Sequence, residues 1–158
     1  MIESNESITS IDTHKILATI PIMPYQNILC VGAEEGLFPV LFGKFVFDGK
    51  VIVFESDKKN IDKTKKMLKK INLGNVELDN LTGNKISIKD KIDGIFISDW
   101  DLYKSKVKLF ENNLNNNTWI SILSENDQSK DKILSKLKKD SEIHINQKYK
   151  LYNYRHYS

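Results

Sequence analysis

Asn27-Ile28-Leu29-Cys30-Val31-Gly32-Ala33-Glu34-Glu35-Gly36 decides how the rest of the chain is read. Five residues of mostly apolar character stop abruptly at a glycine, the pattern of a short strand buried on both faces. Gly32 permits a sharp exit from that strand, and Gly36 lets the start of the next helix approach a ligand closely. That helix is predicted from Gly36 to Val46, with Pro39 tolerated in its first turn. Asp48-Gly49 signals a turn, and Lys50-Val51-Ile52-Val53-Phe54 is a second buried strand ending at Glu55. Two glycines after one strand and an acid at the end of the next, about 20 residues on, suit a nucleoside whose ribose hydroxyls the acid accepts. Glu34 inside the turn would repel a phosphate, so a nucleoside that carries a cation fits better than a nucleotide.

Outward from this unit the alternation continues. A helix over Ile11 to Thr19 precedes the first strand. Asp57 is placed to cap a helix over Lys58 to Ile71, closed by Gly74, with Ile61, Thr64, Leu68 and Ile71 on one face and lysines over the rest. A third strand is predicted at Asn75 to Leu78 and a fourth at Ile92 to Ser98, with a polar loop between them. Then come a helix over Leu102 to Leu114, a fifth strand at Thr118 to Leu123 and a helix over Ser129 to Lys139. The tail alternates twice, at Glu142 to Asn146 and Tyr149 to Tyr157, which predicts an antiparallel pair. Strands alternating with helices imply a mostly parallel sheet covered on both faces, with ligands bound beyond the carboxyl ends of its strands.

Composition narrows the function classes. The chain has 158 residues, 40% of them hydrophobic, and 24 Lys+Arg against 21 Asp+Glu for a formal charge of +3. One domain over residues 1–158 is expected, with a frayed first ten residues. A single Cys30 precludes an internal disulfide and a paired Cys/His metal site, which fits a reducing cytoplasm. No apolar run approaches the roughly 20 residues that span a bilayer, and the polar, acidic start is unlike a signal peptide. Of the 24 cations 23 are Lys and one is Arg155, so the bidentate forks of a base-specific nucleic-acid reader are missing. Lys58, Lys59, Lys63, Lys65, Lys66, Lys69 and Lys70 read as the solvated face of their helix, and an acidic or nucleic-acid partner there is the lesser alternative.

Across nearly its whole length the sequence resembles the class I S-adenosylmethionine-dependent methyltransferases. Asn27 to Gly36 is similar to that family's first motif, and Val51-Ile52-Val53-Phe54-Glu55-Ser56-Asp57 to its second. Asn75-Val76-Glu77-Leu78-Asp79-Asn80 resembles the segment that reaches the adenine, and Asp93-Gly94-Ile95-Phe96-Ile97-Ser98-Asp99 the fourth-strand motif beside the reacting atoms. The resemblance implies a three-layer Rossmann-like methyltransferase fold, with a mostly parallel seven-stranded sheet and an antiparallel C-terminal strand. It implies S-adenosylmethionine as cofactor, held by Gly32, Ala33, Glu34, Gly36, Glu55, Ser56, Asp79, Asn80 and Ser98. Asp99 would then serve as base, unless it caps the following helix, while Trp100 and Tyr103 wall the acceptor or face the methyl cation.

Two positions depart from the family pattern: Cys30 stands where an acid usually precedes the first glycine, and Glu34 where a middle glycine is usual. They motivate a competing reading as a non-catalytic partner subunit of the same fold. The Asp/Asn-Pro-Pro-aromatic motif of base aminomethylation is absent, replaced by Ser98-Asp99-Trp100-Asp101, which favours a small-molecule acceptor over RNA or DNA. With no insertion to form a lid, such an acceptor needs cover from the first 25 residues or from a second subunit of a homo-oligomer. No metal site is assigned; Asp99, Glu125 and Asn126 resemble a divalent-cation set only faintly.

Overall fold

A computed structural model describes residues 12–80, 91–125 and 136–157. In chain order the elements are α1 (Thr13–Thr19), β1 (Asn27–Val31), α2 (Leu37–Phe45), β2 (Lys50–Glu55), α3 (Lys58–Lys70), β3 (Val76–Asn80), β4 (Gly94–Ile97), α4 (Trp100–Tyr103), a 3-10 helix (Lys104–Asn113), β5 (Trp119–Ser124), β6 (Leu137–His144) and β7 (Lys150–His156). Seven strands form one sheet in the order β3-β2-β1-β4-β5-β7-β6. The five strands from β3 to β5 run parallel, and β7 lies antiparallel to both β5 and β6.

The period of two along each strand sorts the apolar side chains into two cores, one per face of the sheet. Ile28 and Cys30 of β1 join Val51, Val53, Phe96 and Trp119 on the first face, where Ile16 of α1 and Phe38 and Phe42 of α2 cover them. The rings of Phe38 and Phe42 lie 4.7 and 4.9 Å from that of Phe96. Leu29 and Val31 join Ile52, Phe54, Ile95 and Ile97 on the second face, under Trp100, Tyr103, Val107 and Phe110. Every residue of β4 and β5 is buried, which is why these strands carry no polar alternation in the sequence.

Local sequence explains most element boundaries. Asp12 caps α1 by accepting from the amides of His14 and Lys15, so the helix starts after it; Ile11 lies outside the described residues. Asp57 caps α3 by accepting from the Lys59 amide. Two expectations need correction. The helix predicted over Leu102 to Leu114 begins earlier, at Trp100 under an Asp99 cap, and continues as a 3-10 helix in which Val107 and Phe110 are the buried residues, three apart as that geometry requires. The helix predicted over Ser129 to Lys139 does not reach Lys139: from Leu137 the chain is strand, because its backbone is taken up by pairing with β7, Leu137 opposite His156 and His144 opposite Lys150. Residues 126–135, like the first eleven and 81–90, where the sequence reading placed a polar loop, lie outside the described residues.

Gly94 opens β4 beneath the indole of Trp119, and a Cβ there would lie 1.9 Å from Trp119 Cε2. Gly94→Ala is therefore expected to overpack this point and lower stability by about 2 to 3 kcal/mol, read as a reduced urea midpoint with the slope unchanged.

Candidate active site

Five parallel strands, β3, β2, β1, β4 and β5, end on one edge of the sheet, and the chain changes direction of travel between β1 and β4. A crevice opens at such a point because the connections on either side leave in opposite directions. Gly32 stands at its floor with a φ of +97°, and a Cβ added to it would sit 2.1 Å from Ser98 Oγ and 3.0 Å from the Tyr103 ring. Side-chain packing from α4 and from the end of β4 therefore requires this glycine. Gly36, at φ +102°, starts α2, where Met67 of α3 packs against it. Between them Glu34 (φ 45°) and Glu35 (φ 58°) also adopt the left-handed conformation. That conformation costs a residue with a Cβ about 1 to 2 kcal/mol. Exposed Glu35 gains an ion pair with Lys63 at 2.6 Å.

Glu55, at the end of β2, is buried, with 1% of its surface exposed. Its Oε1 accepts from the Ala33 amide at 2.8 Å, and its Oε2 accepts from the amides of Ser56 and Asp57 at 2.9 and 3.0 Å. The Tyr103 hydroxyl donates a further bond to Oε2 at 2.7 Å. Each carboxylate oxygen offers about two acceptor positions, so Oε2, with three donors, is filled, while Oε1, with one, keeps a position open. Burial first, and then the hydrogen bond to Glu55, push the Tyr103 phenol above its ordinary range and keep it a donor.

Beside this buried acid lies an open cavity of about 370 Å³. Four carboxylates line it, from Glu34, Asp99, Asp101 and Glu125, together with Ser98, Ser124 and Tyr149. Half-buried Glu34 accepts from Ser98 Oγ at 3.5 Å, and its carboxyl is pushed up by burial first and next by the Asp99 charge. Tyr149 is pushed up to about 12, by burial and then by Glu125. Glu125 also pairs with Lys148 at 3.4 Å. Asp99 caps α4, its Oδ1 accepting from the Leu102 amide at 3.3 Å. A cavity of this charge stabilises a cation and opposes an anion.

The residues singled out in the sequence thus divide. Gly32, Ala33, Glu34, Gly36, Glu55, Ser98, Asp99 and Tyr103 come together around the crevice, with exposed Ser56 at its rim. Asp79 and Asn80 pair with Phe54 and Glu55 at the end of β3, and their side chains lie outside the described residues. Trp100 lies in the second-face core rather than in the cavity wall. Cys30 is buried, its thiol donating to the Gly32 carbonyl, and burial pushes its pKa up, which keeps it from acting as a nucleophile. Sequence reasoning missed Ser124 and Tyr149. The first follows from extending the strand-end logic to β5; the second stands just before β7, and although alternation predicts that strand, it does not say which strand β7 pairs with and so which end of the sheet Tyr149 reaches. Among the described residues no three His, Cys, Asp or Glu side chains cluster closely enough to hold a metal ion.

No family model matches the chain, and no curated protein matches it. Solved structures do match. A SAM-dependent methyltransferase from Aquifex aeolicus is 18% identical over 92% of this chain and 89% of its own, with a TM-score of 0.73. The putative methyltransferase YhhF from Escherichia coli is 15% identical over 94% and 89%, with a TM-score of 0.75. The Methanococcus jannaschii fibrillarin pre-rRNA processing protein is 17% identical over 87% and 69%, with a TM-score of 0.70. The seven-stranded sheet with its reversed β7, the helices on both faces and these likenesses agree: this chain has the three-layer, Rossmann-like fold of the class I S-adenosylmethionine-dependent methyltransferases.

Proposed function

We propose that the protein binds S-adenosylmethionine at the carboxyl edge of β1, β2 and β4 and methylates a small acceptor held in the acidic cavity. The cavity carries this reading: four carboxylates at the switch point of the sheet suit the sulfonium and ammonium groups of that cofactor, and they suit an amine acceptor. When bound, S-adenosylmethionine supplies an electrophilic methyl group, whose displacement depends mainly on alignment. In this reading Glu34 takes over the contact to the ammonium group that Cys30 cannot make, Gly32 gives the backbone room to approach, and Glu55 receives the ribose. Asp99 and Tyr149 face the acceptor; Asp99, whose Oδ1 also caps α4, takes the proton of an acceptor that must lose one.

Two other readings have observations that favour them. A non-catalytic role is favoured by the three donors that already fill Glu55 Oε2. A nucleic-acid acceptor is favoured by the likeness to fibrillarin and by the lysines of α3, and is opposed by the four carboxylates at the cavity. Calorimetric titration with S-adenosylmethionine and S-adenosylhomocysteine, with NAD and ATP as controls, tests the proposal. Micromolar binding confined to the first two supports it. Binding without turnover over an amine panel favours the non-catalytic role, and salt-sensitive RNA binding the nucleic-acid one.

Replacing Glu55 by Gln keeps the shape but removes the charge, and is expected to weaken S-adenosylhomocysteine binding by about 1 to 3 kcal/mol while lowering thermal stability. Glu34→Gly should gain about 1 kcal/mol in urea denaturation by relieving the left-handed backbone. Glu34→Gln probes the charge alone. Because its folded pKa is raised, Glu34 contributes stability that is present below the ordinary carboxylate range and is lost as pH rises through the folded pKa. The Gln variant should therefore melt higher than the parent at neutral pH, and the difference should close at about pH 4.

A further inference from the structure

Glu55 is an acid whose Oε2 has no acceptor position left while Oε1 keeps one, and its four donors are not alike. Three are backbone amides, of Ala33, Ser56 and Asp57, fixed by the turn after β1 and by the start of α3. The fourth is the Tyr103 hydroxyl, the one donor of the four that rotation about side-chain bonds can remove. The ring of Tyr103 also fills the space that Gly32 leaves open, since its edge would meet a Gly32 Cβ at 3.0 Å. Tyr103 is the last residue of a four-residue helix and the first flank of the 3-10 helix, where the chain changes its hydrogen-bonding pattern. Such a junction is a natural place for a small change of backbone angle.

We propose that Tyr103 is a plug on the ribose site: its hydroxyl holds on Glu55 Oε2 the position that the second of two ribose hydroxyls takes, the first using the open position on Oε1. A ribose therefore engages both oxygens only as the Tyr103 hydroxyl leaves, whereas a nucleoside without ribose hydroxyls does not displace it. The proposal rests on the reading of Glu55 as the ribose acid. It makes Tyr103 a residue that sets cofactor affinity, because the competent state is only a fraction of the unliganded population and the apparent affinity falls by that fraction. It also gives the ligand a selection rule. Only a molecule that returns a hydroxyl donor to Glu55 compensates the bond lost with Tyr103, since a buried carboxylate short of a donor is costly. Asp99, which caps the same short helix, lines the cavity, so a cation drawing Asp99 away from the Leu102 amide loosens the element that holds the plug.

The test compares wild type with Tyr103→Phe, which keeps the ring and deletes the hydroxyl, in calorimetric titrations with S-adenosylhomocysteine, adenosine and 2′,3′-dideoxyadenosine. The expected result is an approximately tenfold tightening of the first two ligands in the variant and no gain for the dideoxy nucleoside, which cannot use the vacated position. Equal gain for all three, or no gain, overturns the plug while leaving the cofactor reading in place. Failure of S-adenosylhomocysteine to bind either folded protein removes the cofactor reading and the plug with it. Should Tyr103→Phe not fold by thermal denaturation, Tyr103→Leu, which also lacks the hydroxyl, is measured in its place.

Discussion

A single buried carboxylate joins three separate parts of this chain. Glu55 accepts from the turn after β1, from the first turn of the segment leading into α3, and from Tyr103 of α4. Backbone amides left unpaired in the interior cost about as much as a lost hydrogen bond each, so the charge and its donors hold one another in place. The left-handed backbone at Glu34 and Glu35 persists because the residues around it are fixed in this way. What the family's acid would do for a ligand, this acid already does for the protein.

The second organising feature is the separation of charge. Acidic side chains gather in the cavity at the end of the sheet, while lysines cover the outer face of α3. Lys63 meets Glu35 at the border between the two. The net charge of +3 hides this division, because it averages a cation-seeking hollow with a basic exterior.

Much of the fold was legible in the sequence, for physical reasons that can be named. Ile28-Leu29-Cys30-Val31 and Val51-Ile52-Val53-Phe54 read as strands because both faces are covered and no polar position interrupts them. Asp57 marked a helix start because capping is a local interaction. Leu137 misled because its spacing from Ile133 and Leu134 suits a helix, whereas the pairing with β7 that decides its conformation is remote in sequence. At the site, Gly32 and Glu55 were recognisable by position. That Tyr103 lies on Glu55 was not, since the two are 48 residues apart and meet only through the packing of α4 on the second face.

The sheet's last strand has a bearing on crowding inside a cell. Among the described residues β6 is paired on one side only, and a register shift between Lys139 and Ser141 interrupts its ladder. Lys138, Lys139 and Asp140 stand exposed there, with Lys139 held by Glu142 and Asp140 by Arg155. A foreign strand seeking to extend the sheet would meet an irregular row of amides and would have to desolvate those charges. The edge that the described strands leave at β6 is thereby guarded against runaway β-association.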